Sequence, residues 1–337
     1  MCIQKQCDAF VSLDSVGISA QGCLRKSDWL KYLPIPSSQS IINPSVYVST
    51  STVKITCIKN ISHGTFGYID TAWYETSAGK KEVYVKRPII SGKSLLQEAC
   101  IQKFVGGELH KIGFPTGAPR VLHIFRLRDD SICFAMEPID HACTLDKYLN
   151  DIPTHMISSL LVDCLLQLSA IIWHLNNIVG INHRDLKPSN FLIIEHAPTT
   201  KVLMIENEII EISSRYSLTM IDFGFSCLGS VKTHIVDMSL STVYSKSDPC
   251  PKDGRDLFLF VGMLYIDYYN RLPPRLQKLF ESWLEDPGAK SKLCYLMRKD
   301  GENTKQWLYF MAGNTGIHNL RSYPLRILHD LESLRTI

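Results

Sequence analysis

The chain has almost no excess charge of either sign: 36 Lys and Arg stand against 33 Asp and Glu, a formal +3 over 337 residues. It contains no Lys/Arg-rich block and no basic stretch interleaved with aromatics, so the electrostatic footprint of a dedicated nucleic-acid binder is missing. Cysteine is present but unpatterned. The eleven cysteines are odd in number and include no C-x-x-C pair, which speaks against a zinc module or a disulfide framework and fits a reducing cytosol. No secretory leader is expected, because Met1 to Ser12 mixes Gln, Lys, Asp and Cys without a clean apolar core. Long apolar runs are scarce. The most membrane-like one, Ser158 to Leu175, carries Asp163, Gln167 and His174 among its leucines. Its stripe of Leu161, Leu165, Leu168, Ile172 and Leu175 predicts a buried helix, not a membrane span. Internal repeats are absent.

What remains is ample material for a core, 45% hydrophobic against 20% charged, and one folded unit is a better expectation than two unrelated domains. The densest cluster of functional groups is Ile181 to Asn190, I-N-H-R-D-L-K-P-S-N. Downstream comes Asp222-Phe223-Gly224, entered through the alternating run Ser217 to Ile221, which reads as a short strand. Upstream are Ile61-Ser62-His63-Gly64-Thr65-Phe66-Gly67-Tyr68-Ile69 and Glu82-Val83-Tyr84-Val85-Lys86.

These four segments resemble, in chain order, the glycine-rich loop, the third-strand lysine, the catalytic loop and the D-F-G of the protein-kinase family. The run D-L-K-P-S-N is similar to the serine/threonine branch. The resemblance implies a role for each residue. Asp185 accepts the proton of the acceptor hydroxyl, Lys187 reaches the transferring phosphoryl group, and Asn190 and Asp222 hold magnesium against the phosphates. Lys86 pairs with the alpha and beta phosphates of ATP, and Gly64 and Gly67 let backbone amides approach them. Ser62 stands where the family has its first glycine, with Ile69 closing the loop. Phe134 to Ile139 resembles the hinge, with Met136 as gatekeeper, backbone groups of Glu137 and Ile139 on adenine, and Leu192 also on the nucleotide.

Lys86 then needs a carboxylate from the following helix. Apolar Ile101, Val105, Leu109 and Ile112 recur at helical spacing between Ser94 and Ile112, and Glu98 lies on that stripe. Glu108 lies off it and follows Gly106-Gly107, a helix weak point. Glu98 is the partner expected. Asp256, in G-R-D-L-F, resembles the buried Asp that anchors the catalytic loop from the next helix. The aromatics Trp307, Tyr309 and Phe310 read as core.

The implied fold is α+β, a bilobal protein-kinase fold with a small, mainly β lobe carrying one key helix and a larger helical lobe. The expected divisions are an extension over 1–50, a small lobe over 51–136, and hinge plus large lobe over 137–337. The departures are specific. Tyr84 replaces the small residue that roofs adenine, and 31 residues separate Asn190 from Asp222, so 195–214 is expected to form an inserted hairpin or loop. No A-P-E precedes Asp256. A shortened segment of this kind resembles haspin-like kinases and some kinases of large DNA viruses, although haspins lack a true D-F-G. The function implied is ATP- and Mg2+-dependent phosphorylation of serine and threonine on protein substrates, in the cytoplasm or alternatively the nucleus, with no nucleic-acid partner. A pseudokinase scaffold would commonly have lost one of Lys86, Glu98, Asp185, Asn190 and Asp222. A small-molecule kinase of the same fold would usually lack Arg184 and Lys187.

Overall fold

The computed structural model describes residues 46–49, 52–63, 67–127, 129–229, 236–239, 250–285, 292–313 and 320–335. Most of the expected extension over 1–50, together with Gly64, lies outside these described residues. The chain forms two compact units. One comprises the described residues up to Gly107 with Ala118–Asp140 and Asp222–Gly224. The other comprises Glu108–Gly117, His141–Ile221 and the described residues from Phe225 onward.

The first unit is built on β1 (Val46–Ser49), β2 (Val53–His63), β3 (Gly67–Thr76), β4 (Gly79–Pro88), β5 (Val121–Arg126) and β6 (Ile132–Met136), with helix α1 (Leu96–Lys111) between β4 and β5. The six strands form one sheet in the order β1-β2-β3-β4-β6-β5. Strand alternation decides what each face carries. Val83 and Val85 point to one face, where they join Ile55, Ala72, Phe125, Cys133 and Ala135 in a sealed apolar cluster. Lys86, one residue further along β4, lies on the opposite face in register with Ile69 and Phe134. The same pleat that buries the valines therefore aims the lysine away from them. Ser94 Oγ accepts the backbone N–H of Leu96 at 3.2 Å and caps the start of α1. Gly106 and Gly107 do not interrupt the helix, which ends before Gly113, a residue at φ 84.

The second unit contains β7 (Cys143–Thr144), α2 (Leu145–Asp151), α3 (Thr154–Trp173), β8 (Ile181–Asn182), β9 (Phe191–Ile205), β10 (Glu208–Met220), β11 (Cys227–Gly229), β12 (Val236–Ser239), α4 (Arg255–Tyr268), α5 (Pro274–Leu284), α6 (Leu293–Lys299), α7 (Gly301–Gly313) and α8 (Pro324–Arg335). Helices α3 and α4 are apolar nearly all round and are buried. Extended by a π-helical turn over His174–Val179, α3 is long and apolar enough to span a membrane by composition alone, but most of its most apolar stretch is buried in the protein. The stripe Leu161, Leu165, Leu168, Ile172 and Leu175 is inside, as its spacing requires. The insertion after Asn190 is a long antiparallel hairpin, β9 against β10. Gln167 of α3 ties it down by donating to Ser214 Oγ and Tyr216 O, each at 2.9 Å. One expectation fails. Trp307 and Phe310 are 61% and 56% exposed and pack edge to face on one another, because α7 turns Leu308 and Ala312 inward and leaves its aromatic face outside.

Candidate active site

Within the first unit three charged groups converge. Lys86 Nζ donates to Glu98 Oε1 at 2.5 Å and to Asp222 Oδ1 at 2.8 Å. Lys86 and Glu98 are buried, so the pair is shielded from salt, and removing one partner would strand a buried charge at a cost of about 3–5 kcal/mol. Burial opposes the charge on Lys86, but the Glu98 and Asp222 carboxylates outweigh it and raise its pKa, so the lysine stays an ammonium. Asp222 reaches it from a backbone at φ 64, a left-handed conformation uncommon outside glycine.

Gly67 explains why this lysine needs a glycine neighbour. A Cβ on Gly67 would sit 3.0 Å from Arg87 O and 3.2 Å from Lys86 Cε, so a side chain there would push into the lysine stem. The strands at this end are pinned by buried Asp70, whose carboxylate takes Arg87 Nε at 2.5 Å and Asn60 Nδ2 at 2.7 Å. Ser62 is paired with Ile69 across β2 and β3 beside a register shift. Met136 is nearly buried, and Gln102 Nε2 reaches its sulfur at 3.5 Å. Glu137 gives its backbone N–H to Arg120 O at 2.9 Å, which leaves its carbonyl as the backbone group available to a ligand; Ile139 is partly exposed two residues on. Tyr84 pairs with Thr71 and Met136 and is partly exposed.

Within the second unit, the loop after β8 is held by its backbone. Buried Asp256, from the first turn of α4, accepts the N–H of His183 at 2.9 Å and of Arg184 at 2.8 Å. Arg184 sits at φ 71, a conformation that this carboxylate helps to enforce. Asn182 completes the clamp. Its Oδ1 accepts Lys252 N at 2.6 Å, while its Nδ2 donates to Asn176 Oδ1 at 3.0 Å and Asp256 Oδ2 at 3.1 Å. His183 Nε2 lies 3.0 Å from Ile221 O.

So anchored, the loop presents Asp185, 3% exposed. Lys187 Nζ contacts both carboxylate oxygens, at 3.2 and 3.0 Å. Asn190 Nδ2 donates to Asp185 O and Oδ2, each at 2.8 Å, which turns its amide oxygen away from the loop. Tyr309 Oη donates to Asp185 Oδ1 at 2.5 Å. Leu192 lies next in β9, paired with Thr144 and Thr219.

The structure thus brings Lys86, Glu98 and Asp222 together in one unit, and Asp185, Lys187 and Asn190 together in the other. Asp256 anchors the loop as its motif suggested. Three contributors were missed. Asn182 had no signal beyond adjacency to the loop. Tyr309 read as core, since nothing in a sequence pattern pairs a helical tyrosine with an aspartate 124 residues earlier. The third is a disulfide, Cys227–Cys250, which a reading that found no sign of a disulfide framework did not anticipate; it joins β11, whose Cys227 is in register with Asn182, to the segment leading into α4. Six other described cysteines are not disulfide-bonded.

The donor chemistry suits magnesium. Asp222 offers a carboxylate in the first unit and Asn190 an amide oxygen in the second, each by itself the kind of hard oxygen ligand this ion prefers, and no group of three His, Cys, Asp or Glu forms a metal cage among the described residues.

No protein-family description matches the chain, and no curated protein matches it. Among solved structures it is similar to the BubR1 kinase domain, with 15% identity, a TM-score of 0.48, and 94% of this chain and 98% of that one covered. It is similar to the kinase domain of PF14_0431 at 16% identity and TM-score 0.40, covering 86% and 97%. Vaccinia related kinase 3 is similar at 13% identity and TM-score 0.45, covering 88% and 92%. Similarity at this level is weak, and the functional reading rests on the residues and their geometry.

Proposed function

We propose that the chain is a serine/threonine protein kinase that transfers the gamma phosphoryl group of ATP to protein hydroxyls. The observation that carries this reading is the buried Lys86–Glu98 pair with Asp222 on the same ammonium. A buried cation held by two carboxylates contributes little to stability for its cost, whereas a lysine fixed in place with its charge intact is what polyphosphate binding requires. Asp185 is the second support. It is nearly enclosed, is held by a backbone clamp, and has a cation two residues on, as orienting an acceptor hydroxyl in the presence of developing phosphoryl charge requires.

In this mechanism Lys86 binds phosphate oxygens, with Glu98 fixing its position. Gly67 permits close backbone approach. Asp185 orients the acceptor hydroxyl and takes its proton, and Lys187 offsets charge on the phosphoryl group. Asp222 and Asn190 would hold magnesium, which neutralises phosphate charge when bound. Positioning and charge neutralisation supply the catalysis, with no covalent step on the protein.

The test is Asp185→Asn. Turnover with Mg·ATP and a protein acceptor should fall by roughly 10²-fold or more, while ATP binding measured by calorimetry persists. Unchanged turnover in the purified variant would sink the assignment of Asp185.

A further inference from the structure

The Asp185 carboxylate is already fully subscribed. Oδ1 accepts from Tyr309 Oη at 2.5 Å and from Lys187 Nζ at 3.2 Å. Oδ2 accepts from Lys187 Nζ at 3.0 Å and from Asn190 Nδ2 at 2.8 Å. A carboxylate offers about four lone-pair sites, so these four contacts leave none for an incoming hydroxyl. Lys187 and Asn190 belong to the loop itself. Tyr309 comes from α7, and its hydroxyl is chemically the group that Asp185 is proposed to bind in a substrate.

We infer that Tyr309 fills the acceptor-hydroxyl position of this site, so that a protein serine or threonine must displace the chain's own tyrosine before transfer. The inference rests on the phosphotransferase reading. A positioning role for Tyr309 is redundant, because Asn190 already grips Asp185 at both its backbone and its side-chain oxygen, and Asp256 fixes the two preceding backbone amides. Release does not require α7 to leave. Buried Leu308 packs so closely on Gly262 of α4 that a Cβ there would sit 2.7 Å from its Cδ1, so the helix is fixed by its inner face. Tyr309 is only partly buried between the exposed Trp307 and Phe310, and on this inference its side chain rotates away from Asp185 when the acceptor binds. The tyrosine thereby acts as a tethered competitor of the acceptor and not of ATP.

The experiment is steady-state transfer from Mg·ATP to a pooled serine/threonine peptide library by the wild type, Tyr309→Phe and Tyr309→Ala, with thermal unfolding of each. Losing a hydrogen bond to a charged group should lower the acceptor KM by roughly tenfold or more, leave the ATP KM unchanged, and leave the variants folded. Phosphate recovered on Tyr309 of the wild type would also support its place at the acceptor position. A lower kcat/KM for the acceptor in both variants, an unchanged acceptor KM, or failure of both to fold would overturn the inference and leave the phosphotransferase reading standing. Transfer by none of the three proteins would overturn the reading and the inference together. Transfer by the variants alone would support both.

Discussion

Glu98 and Glu108 stand ten residues apart on one helix and do different work. Ten residues at 3.6 per turn put them about 80° apart around the axis, so the apolar stripe that carries Glu98 inward leaves Glu108 off it. That much was legible in the sequence, and Glu98 is the residue found on Lys86. Glu108 is bonded instead to Lys111 and to His174 Nε2, the latter at 3.4 Å. Burial works against its charge, but hydrogen bonds from His174 and Lys111 outweigh this and lower its pKa from the ordinary 4.5. A carboxylate with a depressed pKa stabilises the fold above its ordinary pKa and loses that contribution as the pH falls through the depressed value. Urea unfolding between pH 6 and pH 3 should therefore show a steeper loss of stability for wild type than for Glu108→Gln, with the variant about 1 kcal/mol less stable at pH 6. Parallel curves would contradict the assignment. Tyr309 marks where legibility ended at this scale. An aromatic beside apolar neighbours on a helix carries the same pattern whether it faces a core or an aspartate.

At the scale of elements, the periodic segments read correctly, and one link between distant segments, the Cys227–Cys250 disulfide, did not. The stripe in α3 and the alternation of Ser217 to Met220, at the end of β10, are local properties of the chain, fixed by side-chain direction. The Cys227–Cys250 disulfide is not local: β11 lies against β8, and the chain returns with Lys252 N on Asn182 Oδ1 at 2.6 Å, which brings the two sulfurs together. Cysteine parity and motif spacing carry no trace of such an arrangement. Under non-reducing conditions Cys227→Ser should lose about 2–4 kcal/mol of stability, and a thiol reductant should produce a loss of similar size in wild type and none in the variant. A wild type indifferent to reductant would show that the bond is not formed in solution. Because the bond ends at the clamp on Asn182 and Asp256, its reduction should also loosen the loop that carries Asp185.

At the scale of the molecule, α+β architecture was legible because the motifs fall in the order that a β-rich unit followed by a helical unit demands, and the structure has those two units. Glu98 as the partner of Lys86 was legible because a lysine proposed to bind phosphates requires a carboxylate from the helix that follows. The cost of keeping Lys86 buried between two carboxylates, and of holding Arg184 and Asp222 at positive φ, became visible only in three dimensions, and such strain points to function more than to folding. The proposal that phosphate leaves ATP and arrives on a protein hydroxyl has one direct test. Purified wild-type protein should be incubated with Mg2+, gamma-labelled ATP and a mixed protein acceptor, and the acceptor then hydrolysed to its amino acids. The account predicts label on phosphoserine and phosphothreonine; an unlabelled acceptor, in the presence of demonstrated ATP binding, would contradict it.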